Sequence, residues 1–214
     1  MSHTLVPTYF IKVDLATNVI FFLVTLFVAT VAYRHYRFAK REHHLLFSTG
    51  FLLISLAHLV LLTTDILVLT GPPTFTVNAL LAIADMVTIA SILYAISFLS
   101  GLVLLLIIYL DIKDHAVRLL LTIMALFGVL ASNNLRSMFY LLVAVLLLFI
   151  LYRLVLNALT LEKTRAWIVV AAFTFIFIGE IMLSLIFLSE GFHIAADIAT
   201  LGGYLLLLGS QVRT

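Results

Sequence analysis

The stretch LVLLLIIYL (102–110) is apolar at position after position, with no alternation of apolar and polar residues. A membrane β-strand alternates between lipid and lumen, so a run of this kind excludes a barrel and calls for helices. Apolar stretches of about 20 residues recur along the whole chain, each long enough to cross the roughly 30 Å hydrocarbon layer as a helix. Of 214 residues, 64% are hydrophobic and 10% charged, against about 45–50% and about 25% in an ordinary soluble domain. A single core of this size cannot hold that excess. The sequence is read as an all-α integral membrane protein, one transmembrane domain over 1–214.

Seven spans are expected, at about 15–33, 45–70, 77–109, 116–132, 136–157, 166–189 and 193–211. The breaks are the charged connector RHYRFAKREHH (34–44), the Pro/Gly turn TGPPTFT (70–76), DIKDHAVR (111–118), SNNLRS (132–137), LEKTR (161–165) and Gly191. At 1.5 Å per residue the third span would reach about 50 Å, so it must tilt, kink near Ser100 and Gly101, or protrude.

Lys and Arg accumulate on the cytoplasmic side of membranes. With the amino terminus outside, Arg34, Arg37, Lys40, Arg41, Lys113, Arg118, Arg153, Lys163, Arg165 and Arg213 fall inside, and only Lys12 and Arg136 fall outside. An odd number of spans then places the carboxyl terminus in the cytoplasm. The first span ends in a basic stop signal rather than a small-residue cleavage site, so it is expected to stay in the mature protein. The expected location is a prokaryotic plasma membrane, multi-pass, with no soluble catalytic or DNA-binding domain attached.

Seven helices in this orientation allow a parallel pseudo-repeat of three spans, a linker and three spans. ADMVTIAS (84–91) is similar to ADIATLGG (196–203), AYR (32–34) to LYR (151–153), and GFLLISL (50–56) to GEIMLSL (179–185), the last pair at depths about two turns apart. The span count and orientation resemble sugar transporters of the SWEET type. The prolines those transporters carry within helices are missing here, since Pro7, Pro72 and Pro73 lie outside the spans.

Few titratable groups remain once the loops are removed: His58 and Asp65 on the second span, Asp85 on the third, Glu180 on the sixth and Asp197 on the seventh, with Glu190 and His193 at the outer border. Such groups cost several kcal/mol in a bilayer unless paired or hydrated, so they turn to the bundle interior or to a water-filled cavity. Depth places Asp65, Asp85 and Asp197 in an outer layer and His58 and Glu180 a turn or more deeper. His58 and Asp65 share a helix face but lie about 10 Å apart along it. Four carboxylates with no embedded Lys or Arg cannot all stay ionised and dry; protons, water or a bound cation must compensate them. As hydrogen-bonding neighbours the sequence offers Thr63, Thr64, Asn78, Thr88, Ser184 and Tyr204.

Several chemistries are excluded by residue type. No lysine lies within the last span to hold retinal, and His58 has no deep partner for a haem. No HExxH occurs, nor the GxSx and GxGD signatures of intramembrane proteases. With no cysteine, zinc-thiolate and disulfide readings are empty. The basic connector, with Arg34, Arg37, Lys40 and Arg41 among Tyr33, Tyr36 and Phe38, is read as gripping anionic lipid headgroups at about 1 kcal/mol per basic residue, rather than nucleic acid.

The leading expectation is a non-enzymatic membrane protein that takes a small cation, proton or cationic ligand into an outward-facing acidic pocket formed by Asp65, Asp85, Asp197, His58 and Glu180, for transport or sensing. No organic cofactor is evident; a metal ion is an acceptable guest. The alternatives are a structural or sensory subunit docked on a membrane partner or on a second copy of itself, and, third, an intramembrane metal-dependent hydrolase.

Overall fold

In lipid no water reaches the backbone, so each span closes its own hydrogen bonds as a helix. The computed structural model describes residues 8–70, 77–132, 136–161, 163–186 and 191–212. They form α1 (Thr8–Ala39), α2 (Glu42–Thr70), α3 (Val77–Tyr109), α4 (His115–Ser132), α5 (Arg136–Leu161), α6 (Thr164–Ser184) and α7 (Gly191–Val212), with no strand among them. Six of the seven are long and apolar enough to cross a membrane, and α4, with 18 residues, is the shortest. The Pro/Gly turn at 71–76, the polar turn at 133–135, Glu190 and Arg213 lie outside the described residues, as do the side chains of Lys12, Asn78 and Arg136.

Several boundaries differ from expectation: α1 begins at Thr8 rather than 15, and α5 runs to Leu161 rather than 157. The charged connector 34–44 is mostly helix: α1 runs to Ala39, α2 starts at Glu42, and only Lys40 and Arg41 separate them, Lys40 turning the chain at φ 53°. Lys, Arg and Glu are good helix formers, so leaving the apolar segment does not end a helix. At the other extreme α6 stops at Ser184, five residues before the expected end at 189. The third helix is continuous through Ser100 and Gly101. Asp114 starts α4 by accepting the Ala116 backbone N–H at 2.8 Å, and Arg118 Nε donates to the Ile112 carbonyl at 2.8 Å.

Helix directions follow from a few contacts. Arg153 Nε donates to the Tyr109 carbonyl at 3.1 Å, and Phe98 meets Phe139 with ring centroids 6.4 Å apart, so position advances along α3 and α5 in the same sense. The helices are therefore parallel, and α4 must run the whole way back between them. His193 Nε2 lies 3.1 Å from Asp14 Oδ1, which makes α7 and α1 parallel likewise. Six helices close a ring in the order α1, α2, α3, α5, α6, α7, while α4 packs outside it against α3 and α5. Ala125 and Val129 turn inward from α4, and Leu119, Phe127 and Leu130 face out, where lipid would meet them.

The packing within the ring, α4 apart, maps onto itself when α1, α2 and α3 are exchanged for α5, α6 and α7. The close approaches supply the register. A Cβ on Gly101 would stand 2.6 Å from the Gly50 carbonyl oxygen and 2.7 Å from Ile54 Cγ1; on Gly203 it would stand 2.6 Å from both the Ala172 carbonyl oxygen and Ile176 Cγ1. Only glycine lets the backbones approach so closely, which is how helices associate where lipid removes the hydrophobic drive. GFLLISLAH (50–58) thus corresponds to AFTFIFIGE (172–180), and SFLSG (97–101) to ATLGG (199–203). The two-turn mismatch between the second and sixth spans disappears, because the matching segment of α6 begins at 172 rather than 179. His58 and Glu180 become equivalent positions of the two halves, whereas Asp85 and Asp197 do not.

Candidate functional site

At the end of the bundle where α1 begins, the ring encloses a cavity of about 530 Å³. It extends from the level of Val68, Ile186 and His193 to a floor at Phe98, Phe139 and Tyr204. Four of the five sequence-derived candidates line it: Asp65, Asp197, His58 and Glu180. Asp85 does not line it and is exposed, so the structure places it apart from the layer in which depth alone had put it. Helical rotation, which depth ignores, turns it away.

The mouth is acidic. Asp14 lies within Coulombic reach of both Asp65 and Asp197. It also meets His193, whose Nε2 lies 3.1 Å from Asp14 Oδ1, with the His193 and Asp14 side chains 27% and 34% exposed. Asp14, His193 and Asp197 present one ligand atom each within 4.8 Å of one another. Among the described residues that line the cavity there is no Lys or Arg.

A single amide connects mouth and floor. Asn18 Nδ2 donates to Asp65 Oδ2 at 3.1 Å, and His58 Nδ1 lies 3.4 Å from Asn18 Oδ1. An amide oxygen only accepts, so this contact puts a proton on Nδ1, and in the neutral ring Nε2 then presents a lone pair. The two groups of α2, too far apart along the helix to bond directly, are joined through α1.

The floor is aromatic and contains unsatisfied polar atoms. Around the His58 ring stand Phe21, Phe98, Tyr204 and Tyr94, with centroids 5.1, 5.9, 6.0 and 6.1 Å away. Phe21 also meets Tyr204 at 4.8 Å. Glu180 sits within Coulombic reach of the Tyr94 and Tyr204 phenols. His58 and Glu180 are each 4% exposed. Among the described residues, four buried side-chain polar atoms have no hydrogen-bond partner: His58 Nε2, Glu180 Oε2, Thr200 Oγ1 and His193 Nδ1. All four residues line this cavity.

The neighbours proposed from sequence mostly do not serve the acids. The hydroxyls of Thr63, Thr64, Thr88 and Ser184 donate to carbonyls three or four residues back in their own helices. Tyr204 is in place, buried on the floor. Sequence reasoning missed Asp14, Asn18 and Tyr94. Asp14 and Asn18 are four residues apart on one helix face, a legible signal, but Asp14 fell outside a first span taken to begin at 15, whereas α1 begins at Thr8. Arg34, Arg37, Lys40 and Arg41 are exposed at the opposite end of the bundle. Comparison with protein-family models, with curated proteins and with solved structures returns no match to this chain.

Proposed function

We propose that this membrane protein binds a small cation or cationic ligand in the cavity, which faces outward when the basic end of the bundle lies in the cytoplasm, and that it does so to transport or to sense that ligand. The observation that carries this reading is the gathering of all four unpartnered buried polar atoms in one cavity that has carboxylates but no Lys or Arg among its described lining. A buried polar group without a partner costs about 1–3 kcal/mol, and native proteins seldom leave one without a reason such as water or an ion. Asp14, Asp65 and Asp197 would draw the cation in. His58 and Glu180 would receive it, or pass a proton, below.

One observation favours a particular occupant of the mouth. One imidazole and two carboxylates, with ligand atoms within 4.8 Å, form a donor set suited to Zn²⁺, Mn²⁺ or Fe²⁺ with water completing the shell. In either case the basic residues of the connector would hold anionic headgroups on the inner leaflet.

The test is calorimetric titration of the protein in lipid nanodiscs with Na⁺, Ca²⁺, Mn²⁺, Zn²⁺ and alkylammonium salts, alongside flux measurements in liposomes. At least one cation is expected to bind saturably, with roughly tenfold weaker binding in Asp197→Asn and Asp65→Asn and unchanged binding in Asp114→Asn. No saturable cation, or equal binding by all variants, would sink the reading. Flux separates transport from sensing.

A further inference from the structure

The cation-binding reading, on which this inference rests, leaves open what kind of cation the cavity suits. Size is the first constraint. A volume of about 530 Å³ is far more than one water's share of about 30 Å³ and falls in the range of roughly 300–1,000 Å³ typical of organic-ligand pockets. A bare ion would leave most of it to water, and the floor is a poor surface for water: Phe21, Phe98 and Phe139 offer no hydrogen bond, and all three line the cavity.

Chemistry is the second constraint. Ring faces attract cations, most strongly where water is excluded, and the rings of Phe21, Tyr94, Phe98 and Tyr204 surround the His58 position. Beside them stand two unpartnered acceptors on side chains 96% removed from solvent, Glu180 Oε2 and His58 Nε2. His58 Nε2 presents a lone pair, so both atoms call for a donor. Thr200 Oγ1, also unpartnered, can accept as well. A metal ion would use the lone pairs and ignore the rings; a neutral sugar would stack on the rings and donate hydroxyls to the acceptors but bring no positive charge to balance a carboxylate. An amine in its ammonium form satisfies both features, with N–H groups for the acceptors and an apolar body for the aromatic wall.

We infer that the floor of the cavity is a binding site for an organic ammonium ion bearing N–H, its charged nitrogen held at Glu180 and His58 and its apolar substituent against Phe21, Tyr94, Phe98 and Tyr204. The acidic mouth concentrates such cations and steers them inward. His58 and Glu180 stand at equivalent positions of the two halves, so α1–α3 and α5–α7 each contribute one polar group to the lining of the site. Nothing covalent is formed, and the ligand leaves unchanged.

The probes are phenethylamine and butylamine, each protonated at neutral pH, and phenethyl alcohol, which keeps the shape of the first without its charge. Equilibrium binding to the intact protein in nanodiscs is expected for both amines, with the alcohol roughly tenfold weaker or worse. Glu180→Gln, which keeps the side-chain shape, is expected to weaken phenethylamine roughly tenfold. Tyr204→Leu should weaken it by roughly three- to thirtyfold, and Tyr204→Phe, which keeps the ring, should not. Elution profiles check that each variant folds, and Glu180→Gln remains decisive if Tyr204→Leu does not. Equal binding of alcohol and amine, or undiminished binding by Glu180→Gln, overturns the inference. Saturable Mn²⁺ or Ca²⁺ binding without either amine would overturn it while leaving the broader cation reading intact; no cation binding at all would remove both.

Discussion

Asn18 shows how much one residue decides in this bundle. It accepts at one end and donates at the other, joining His58 on the floor to Asp65 at the mouth. Removing it strands two groups on α2 that have no other described side-chain hydrogen-bond partner. Asn18→Ala is therefore expected to cost about 1–3 kcal/mol, read as a lower midpoint of thermal unfolding in detergent. Asp85→Asn is expected to stay within about 0.5 kcal/mol of the parent and to keep ligand binding, because Asp85 is exposed and away from the cavity. If the two variants melted alike, the bridging role of Asn18 would be refuted. Asp85 also shows where a sequence runs out at this scale. Its depth is legible by counting from a helix end, but which way its side chain points depends on how α3 is rotated against α2 and α5.

The helix pairs α2–α3 and α6–α7 are held by the same device, a glycine on one helix set against a small residue and an isoleucine on the other. At Gly203 a Cβ would press on the Ala172 carbonyl oxygen at 2.6 Å, and backbone cannot swing aside. Gly203→Ala should force α6 and α7 apart, destabilising by roughly 1–3 kcal/mol despite the better helix propensity of alanine. Gly209, six residues on in the same helix, has nothing within 4 Å of a built Cβ. There the same change should be neutral or stabilising by up to about 1 kcal/mol. Unfolding midpoints of the two variants test this directly, and a Gly203→Ala protein as stable as Gly209→Ala would contradict the packing described. The internal correspondence is an element-scale result as well. Leucine-rich helices match one another in many registers, and in sequence the segment at 179–185 resembles 50–56 only at a depth about two turns off. The glycine contacts select 172–180 and so pair His58 with Glu180.

For the molecule as a whole, the ring of six helices with α4 outside makes a definite statement about sidedness. Arg153 and Tyr109 share the end opposite the cavity mouth, and so does the Lys40–Arg41 turn. The basic residues should therefore face the cytoplasm and the cavity the exterior. With no cysteine in the chain, single replacements can be labelled without background. A cysteine at His43 should react with a membrane-impermeant maleimide only after permeabilisation of cells, and one at Thr70, the exposed last residue of α2, should react in intact cells. The reverse pattern would invert the bundle and make the cavity a cytoplasmic one.

The amino-acid sequence by itself determined the class of protein, the number of helices, most of their boundaries and, Asp14 apart, the acids and imidazoles that must be explained. All of these follow from local properties: the length of apolar runs, the places where charge interrupts them, and the cost of an ionisable group in hydrocarbon. Only the tertiary structure decided that α4 stands outside the ring, that Asp85 stays out of the cavity, that Asp14 and Asn18 belong to it, and that His58 and Glu180 are counterparts. Those facts depend on the rotation and register of each helix against its neighbours. In lipid these are set by close packing at a few glycines and by polar contacts such as Asn18 to Asp65, not by an amphipathic stripe that could be read along the chain.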